Sequence, residues 1–337
     1  MDLNTLWFIL IAVLFIGYFF LEGFDYGVGI LMPFLGKDDK GRRLAINTIG
    51  PHWDGNEVWL LVAGGATFAA FPHWYATLFS GFYLALLLML VGLIVRAVAL
   101  EYRSKDQDRR WRAMWDWLIF AGSLLPAFLW GVAFANIVRG VPIDGSMHYV
   151  GTFWNLLNPY ALLGGLVTLS AFLLHGAIFL SLKTEGALAD RARAAAWRLW
   201  PAVVLLAVAF LLATFPTTDL YAQNGGLPLG LALLCAVALL AVGALLRLRR
   251  PGWAFALMGV TIALLVAFLM AGLFPRVMVS SLVPTNSLTI YSASSTPYTL
   301  KVMTIVAAIM VPIVMAYQAW SYWIFRKRLR RDDALEY

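Results

Sequence analysis

Five ionisable side chains, Glu22, Asp25, Asp54, Glu57 and Arg96, interrupt stretches of this sequence that are otherwise apolar. Charged groups in such surroundings are costly to keep, which makes each a candidate for function. Glu22 and Asp25 are three residues apart, so on a helix both carboxyls share one face. Asp54 and Glu57 repeat that spacing within Pro51-His52-Trp53-Asp54-Gly55-Asn56-Glu57-Val58-Trp59. Arg96 stands at a depth from which it can face both pairs. Carboxyls held out of water beside an arginine can take up and release protons, and the chemistry this pattern points to is proton transfer. At ~1.5 Å of rise per residue, counted from an inner helix end near position 32, Asp25 lies roughly 10 Å deep. The cluster therefore reads as a proton entrance from the cytoplasmic side.

Each of these residues also has a plainer use. Asp54 can cap the helix that starts beside it and favour its positive end. Glu22 and Arg96 can form a static buried pair that holds helices together. Asp25 sits in Gly23-Phe24-Asp25-Tyr26-Gly27-Val28-Gly29, where glycines let helices approach closely, and it can make an interhelical hydrogen bond.

The elements that must position these groups are set by composition. The chain of 337 residues is 62% hydrophobic and 13% charged, with a mean hydropathy of +0.80, whereas soluble domains carry about 25% charged residues. Charges collect in short clusters between apolar runs long enough, as helices, to cross a hydrocarbon core of ~30 Å. Backbone groups cannot go unpaired in lipid, so the runs must be helices; barrel strands would be shorter and alternating. The fold class is an all-α integral membrane protein of about nine transmembrane helices. The spans fall near 7–32, 54–71, 74–100, 115–138, 157–182, 197–215, 227–247, 252–273 and 299–325, in a single polytopic membrane domain over 1–337. The N-terminal run is too long for a signal-peptide core and lacks a basic flank, so it reads as a retained helix.

If the spans alternate in direction, 21 of the 25 Lys and Arg residues lie in the segments 37–43, 103–112, 183–198, 247–250 and 326–331, all on one side. This bias puts the N-terminus outside and the C-terminus in the cytoplasm. It also accounts for the net charge of +7 without a nucleic-acid partner. Trp7, Trp74, Trp111, Trp115, Trp154, Trp197, Trp200, Trp253 and Trp323 fall near span ends, where an indole can face lipid and water together. The outer segment 274–298, rich in Ser, Thr and Pro, reads as a lid over helix ends or a subunit contact.

Haem or metal chemistry would need ligands that the sequence places badly. Cys235 is the only cysteine and lies in an apolar run, which excludes disulfides, thiolate metal sites and c-type haem attachment. Of four histidines, His73 and His148 lie at or in outer loops, His52 at an inner helix end, and only His175 well within a span. A lone histidine on an apolar helix is a hydrogen-bonded core residue in the plain reading. No P-loop, paired-His zinc motif or nucleophile elbow is present. We expect no metal site in this chain and no redox centre of its own.

The Gly23 to Gly29 segment, Arg42-Arg43 with Ile46-Asn47, the Pro51 to Trp59 stretch, Phe79-Ser80-Gly81-Phe82-Tyr83, Glu101-Tyr102-Arg103-Ser104-Lys105 and Trp111-Arg112 with Met114-Trp115-Asp116-Trp117 carry a family resemblance. It continues through Asn158-Pro159, Asn286-Ser287-Leu288-Thr289 and the helix from Val302 to Tyr322. On these residues the chain resembles subunit II of the cytochrome bd-type quinol oxidases, nearly end to end. The resemblance implies a subunit of a bacterial cytoplasmic-membrane oxidase that takes electrons from quinol, reduces dioxygen to water and draws protons from the cytoplasm. It implies two haems b and one haem d, held with the quinol site by the larger partner, subunit I. It leaves room for a small single-span subunit, and for a quinone or lipid held in a groove as a structural cofactor. Asp25 and Asp54 occupy the motif positions associated with a proton path along the subunit interface. His52, Trp53, Gly55, Asn56 and Trp59 are then structural members of the motif, and Glu57 falls where relatives can carry Gln. The outer connection between the sixth and seventh spans is short here, where some relatives carry a long one.

Two other readings compete. A proton-coupled secondary transporter also explains buried carboxylates with an inner arginine, although such folds show repeated halves with broken helices at mid-membrane. A purely structural anchor would leave turnover indifferent to the acids.

Overall fold

Each apolar run closes its backbone hydrogen bonds within itself, and the result is a bundle of helices. A computed structural model describes residues 1–335. Its helices are α1 Leu3–Leu35, α2 Asp39–Ile49, α3 Trp53–Ala70, α4 Pro72–Gly81, α5 Tyr83–Tyr102, α6 Arg109–Arg139, α7 Pro159–Lys183, α8 Gly186–Thr217, α9 Leu227–Arg247, α10 Pro251–Leu273 and α11 Pro297–Ile324. Among the described residues, eight helices are long and apolar enough to cross a membrane, against about nine expected. The difference is the segment 54–71, which forms α3 but is diluted by Asp54, Asn56 and Glu57 in its first turns. The span expected at 74–100 is divided at Phe82, whose dihedrals (φ −101°, ψ 16°) separate α4 from α5.

The central element is α1. The Asp2 carboxylate accepts the Thr5 amide at 2.7 Å and caps its start. From Leu21 to Met32 every residue is buried, so this part of the helix faces protein on all sides. Gly27 makes that possible against α7: a Cβ there would lie 2.9 Å from the Gly176 backbone, closer than any side chain tolerates.

The short helix α2 was not expected, because its apolar residues cover only one face. Leu44, Ala45, Ile46 and Ile49 close the bundle beneath Phe24, Val28 and Met32. Its polar face is fastened by ion pairs: Arg42 to Asp116 at 2.7 Å, and Asp39 to Arg103 at 2.9 Å and to Arg112 at 2.7 Å. Arg103 also meets Asp116 at 2.5 Å, and both are buried.

The two ends of the bundle differ. At one end the C-terminal tail runs under the helices. Leu329 and the Lys183–Glu185 backbone exchange hydrogen bonds, and Arg330 pairs with Glu185 at 2.8 Å, Lys40 with Asp332 at 3.3 Å, and Arg331 with Asp38. At the other end the segment 274–296 folds over the helix ends. Its strands β1, Arg276–Met278, and β2, Leu288–Thr289, pair antiparallel. The Ser295 amide donates to Ala70 O at 2.9 Å, and Asn4 Nδ2 to Ile290 O at 2.8 Å. Arg276 grips Asp219 with two bonds of 2.8 Å and holds its carboxyl below the usual carboxylate range.

Candidate functional site

Three helices bring the charged residues together. Glu22 and Asp25 come from α1, Glu57 from α3 and Arg96 from α5. Arg96 Nη1 is ion-paired with Glu22 Oε1, both side chains being wholly buried. Glu57 Oε2 stands 3.6 Å from the same nitrogen, a charge contact rather than a hydrogen bond. The Arg96 guanidinium also lies over the Tyr26 ring, 4.9 Å from its centroid. Asp25 Oδ2 accepts from Asn56 Nδ2 at 2.8 Å. Glu22 Oε2, Asp25 Oδ1 and two Arg96 nitrogens are buried with no hydrogen-bond partner among the described residues. Two carboxyls therefore share one guanidinium, with the buried Asp25 one helical turn from Glu22, an arrangement able to store and exchange protons.

Asp54 is not part of that cluster. It is exposed on the first turn of α3, and among the described residues its carboxylate accepts only the adjacent Gly55 amide, at 2.7 Å. The capping position of α3 belongs to His52, which supplies no side-chain bond to the helix. The other motif residues have separate tasks. His52 stacks on Tyr322 with centroids 4.2 Å apart and planes 2° from parallel. Burial holds its pKa down at about 4, with nearby Lys183 adding to the effect. Trp53 packs partly buried against the lower core, and Gly55 is exposed. Asn56 is wholly buried. Trp59 donates Nε1–H to Gln318 Oε1 at 2.7 Å, and its ring lies so close to Gly17 that no side chain fits there.

Sequence reasoning missed several partners because it searched for charge. Gln318 and Tyr322 on α11 both donate to Asn56 Oδ1, at 3.2 and 2.8 Å. Tyr18 and Tyr26, one turn to either side of Glu22 on α1, share a hydroxyl contact, and Trp130 Nε1 donates to Tyr18 at 3.1 Å. Polar residues within apolar runs were the available signal. The Arg103–Asp116 network was also missed; its residues lie at span ends, where charge is ordinary.

His175 is hydrogen-bonded through Nε2 to Phe20 O at 3.0 Å and stacked on Phe255 at 4.6 Å. Among the described residues no three His, Cys, Asp or Glu side chains gather as a metal-holding group.

A cavity of about 480 Å³ opens between α1, α3, α4, α5 and α6, and neither the acids nor Arg96 line it. Phe68, Trp74, Tyr75, Phe79, Trp130 and Phe134 are among its lining residues, and Trp74 Nε1 is buried there without a hydrogen-bond partner among the described residues.

The family model for cytochrome bd terminal oxidase subunit II matches residues 3–325. The chain belongs to that family. The subunit II chain is 45% identical to "Cytochrome bd ubiquinol oxidase subunit 2" of Bacillus subtilis (strain 168), over all of this chain and 99% of that one. It is 40% identical to "Cytochrome bd-I ubiquinol oxidase subunit 2" of Escherichia coli (strain K12), over 98% of this chain and 96% of that one. In fold it is similar to a chain of the bd oxidase structure from Geobacillus thermodenitrificans, with a TM-score of 0.75 at 18% identity, covering 97% of this chain and 100% of that one. This subunit II is thus a multi-pass membrane protein and part of a quinol-oxidising oxidoreductase complex that contains haem and a subunit I. The transporter alternative finds no support in these matches.

Proposed function

We propose that this subunit carries no haem and conducts protons from the cytoplasm toward an oxygen-reducing centre held by subunit I. The observation that carries the reading is the pairing of Arg96 with buried Glu22 and half-buried Glu57, with Asp25 buried on the Glu22 face of α1 and Asp54 exposed on the same helix as Glu57. Asp54 and Asp25 are the proton carriers, and Arg96 sets the charge balance of the group.

Two haems b, one haem d and the quinol site belong to subunit I in this reading, in keeping with the engaged state of His175. Subunit I covers the face made by α3 and α11. An exposed carboxylate such as Asp54 is costly against lipid, and α11 is exposed along nearly all its length. The end that gathers the C-terminal tail and the basic clusters faces the cytoplasm of a bacterial cell, with the N-terminus outside. The 480 Å³ cavity holds a quinone or lipid, to which Trp74 Nε1 offers a hydrogen bond. A small single-span subunit completes the assembly.

The test is oxygen uptake by the assembled complex with quinol as donor. Asp25→Asn and Asp54→Asn should each suppress uptake while the haem optical spectrum persists. Uptake at the unsubstituted rate in both would remove the carrier role. Haem bands should be present in the assembly and absent from this chain purified alone.

A further inference from the structure

Trp59, Gln318, Asn56 and Asp25 form a hydrogen-bond chain across α3, α11 and α1, and this chain can run in only one direction. An indole N–H donates and cannot accept. Trp59 Nε1 lies 2.7 Å from Gln318 Oε1, which turns the Gln318 amide so that its NH2 group faces Asn56 Oδ1 at 3.2 Å. The Tyr322 hydroxyl donates to the same oxygen at 2.8 Å. With its oxygen engaged twice, Asn56 must direct its own NH2 group the other way. It meets Asp25 Oδ2 at 2.8 Å and the Leu21 carbonyl at 3.5 Å, both acceptors.

Asp25 Oδ2 is thereby held as an acceptor. Oδ1 is buried with no hydrogen-bond partner among the described residues and is the oxygen left to carry a proton. We propose that Gln318, directed by Trp59 and backed by Tyr322, is a positioning residue for Asp25, fixing which carboxyl oxygen takes up and gives away the proton. The exchange partner is Glu22, one helical turn away, whose Oε2 is likewise buried and unpartnered. The inference rests on the reading of Asp25 as a proton carrier. It adds that the last helix, which bears no charge near the site, decides how that carrier is presented.

The experiment uses the assembled complex with Gln318→Met, Trp59→Phe, the double variant and Asp25→Asn. The readouts are quinol-driven oxygen uptake, the haem optical spectrum and infrared difference spectra. The Asp25 bands, whether from a protonated or an ionised carboxyl, are those lost in Asp25→Asn. Trp59→Phe keeps an aromatic ring against Gly17 and removes only the donor, so it stands in should Gln318→Met fail to assemble.

Both single variants should retain the haem spectrum, move the Asp25 bands and lower uptake on the order of tenfold, the scale of one lost hydrogen bond. The double variant should be no slower than either single one, since both break the same chain. If Asp25→Asn is slow but both single variants keep unsubstituted bands and rates, the positioning role is wrong and the carrier reading stands. If Asp25→Asn turns over at the full rate, the carrier reading fails and takes this inference with it.

Discussion

Arg96 and Glu22 form a wholly buried ion pair that ties α5 to the centre of α1, and Glu57 approaches the same guanidinium from α3. One cation thus joins three helices at the depth where α1 is buried on every side. Taking two charges out of water is expensive, and the pair offsets that cost only while both members are present.

Replacing Arg96 with Met should therefore destabilise the subunit by roughly 3–5 kcal/mol, because Glu22 is left charged and uncompensated. Arg96→Met combined with Glu22→Gln should recover part of that loss. Thermal melting of the complex in membranes measures both, and equal losses in the single and double variants would contradict the account.

Asp54 behaves differently because it is exposed and its carboxylate accepts its neighbour's amide. Asp54→Asn should leave stability within about 0.5 kcal/mol of the unsubstituted protein. Oxygen uptake should nonetheless fall by a factor on the order of 100, the scale of a lost proton-transfer group. Melting and uptake on the same preparation separate the two effects.

His52 should contribute a pH dependence of its own. Its folded pKa of about 4 lies below the ordinary value because burial disfavours the charged ring. The unfolded chain then binds the proton first as pH falls. The stability from neutral His52 is complete above about pH 6.5, the unfolded value, and is lost as pH drops toward the folded one. His52→Phe keeps a ring against Tyr322 and should flatten this part of the melting-temperature profile.

The Asp219–Arg276 pair at the other end predicts a second window. Arg276 lowers the Asp219 pKa, so its stabilisation is present above about pH 3.9 and disappears as pH falls through the lower folded value. The carboxylate is half exposed, at 48% of its side-chain surface, so the effect is small, under about 1 kcal/mol. Asp219→Asn should loosen the loop between α8 and α9 at neutral pH, seen as faster amide exchange, and make no difference in strong acid.

The cavity can be tested by filling it. A Cβ added at Gly64 meets nothing within 4 Å, and the residue lines the cavity. Gly64→Leu should leave α3 intact, since leucine favours a helix more than glycine does. It should lower the quinone or lipid that purifies with the subunit, measured by extraction and mass spectrometry. An undiminished yield of bound ligand would place the ligand elsewhere.

The all-helical membrane fold was legible in the sequence for a simple reason: lipid leaves a long apolar run no alternative to a helix. The ends of α1, α7, α9, α10 and α11 lie within a few residues of the expected spans. The same physics identified Glu22, Asp25, Glu57 and Arg96, because a charge in an apolar run stands out without any alignment. Its failures are equally physical. Amphipathic α2 carries no continuous apolar signal, and the apolar run over 74–100 gives no sign of the break at Phe82 that separates α4 from α5.

What only the tertiary structure decided is which of these groups meet. Helical spacing puts Glu22 and Asp25 on one face, but no spacing rule says that Asn56 reaches Asp25, that Gln318 and Tyr322 arrive from the far end of the chain, or that Asp54 faces outward. Those relations depend on how helices cross, and crossing is set by close contacts such as Gly27 with Gly176, between residues about 150 positions apart. The sequence by itself determined the solvent and the secondary structure. Packing determined the chemistry within reach of each acid, because a proton moves only between groups a few ångströms apart.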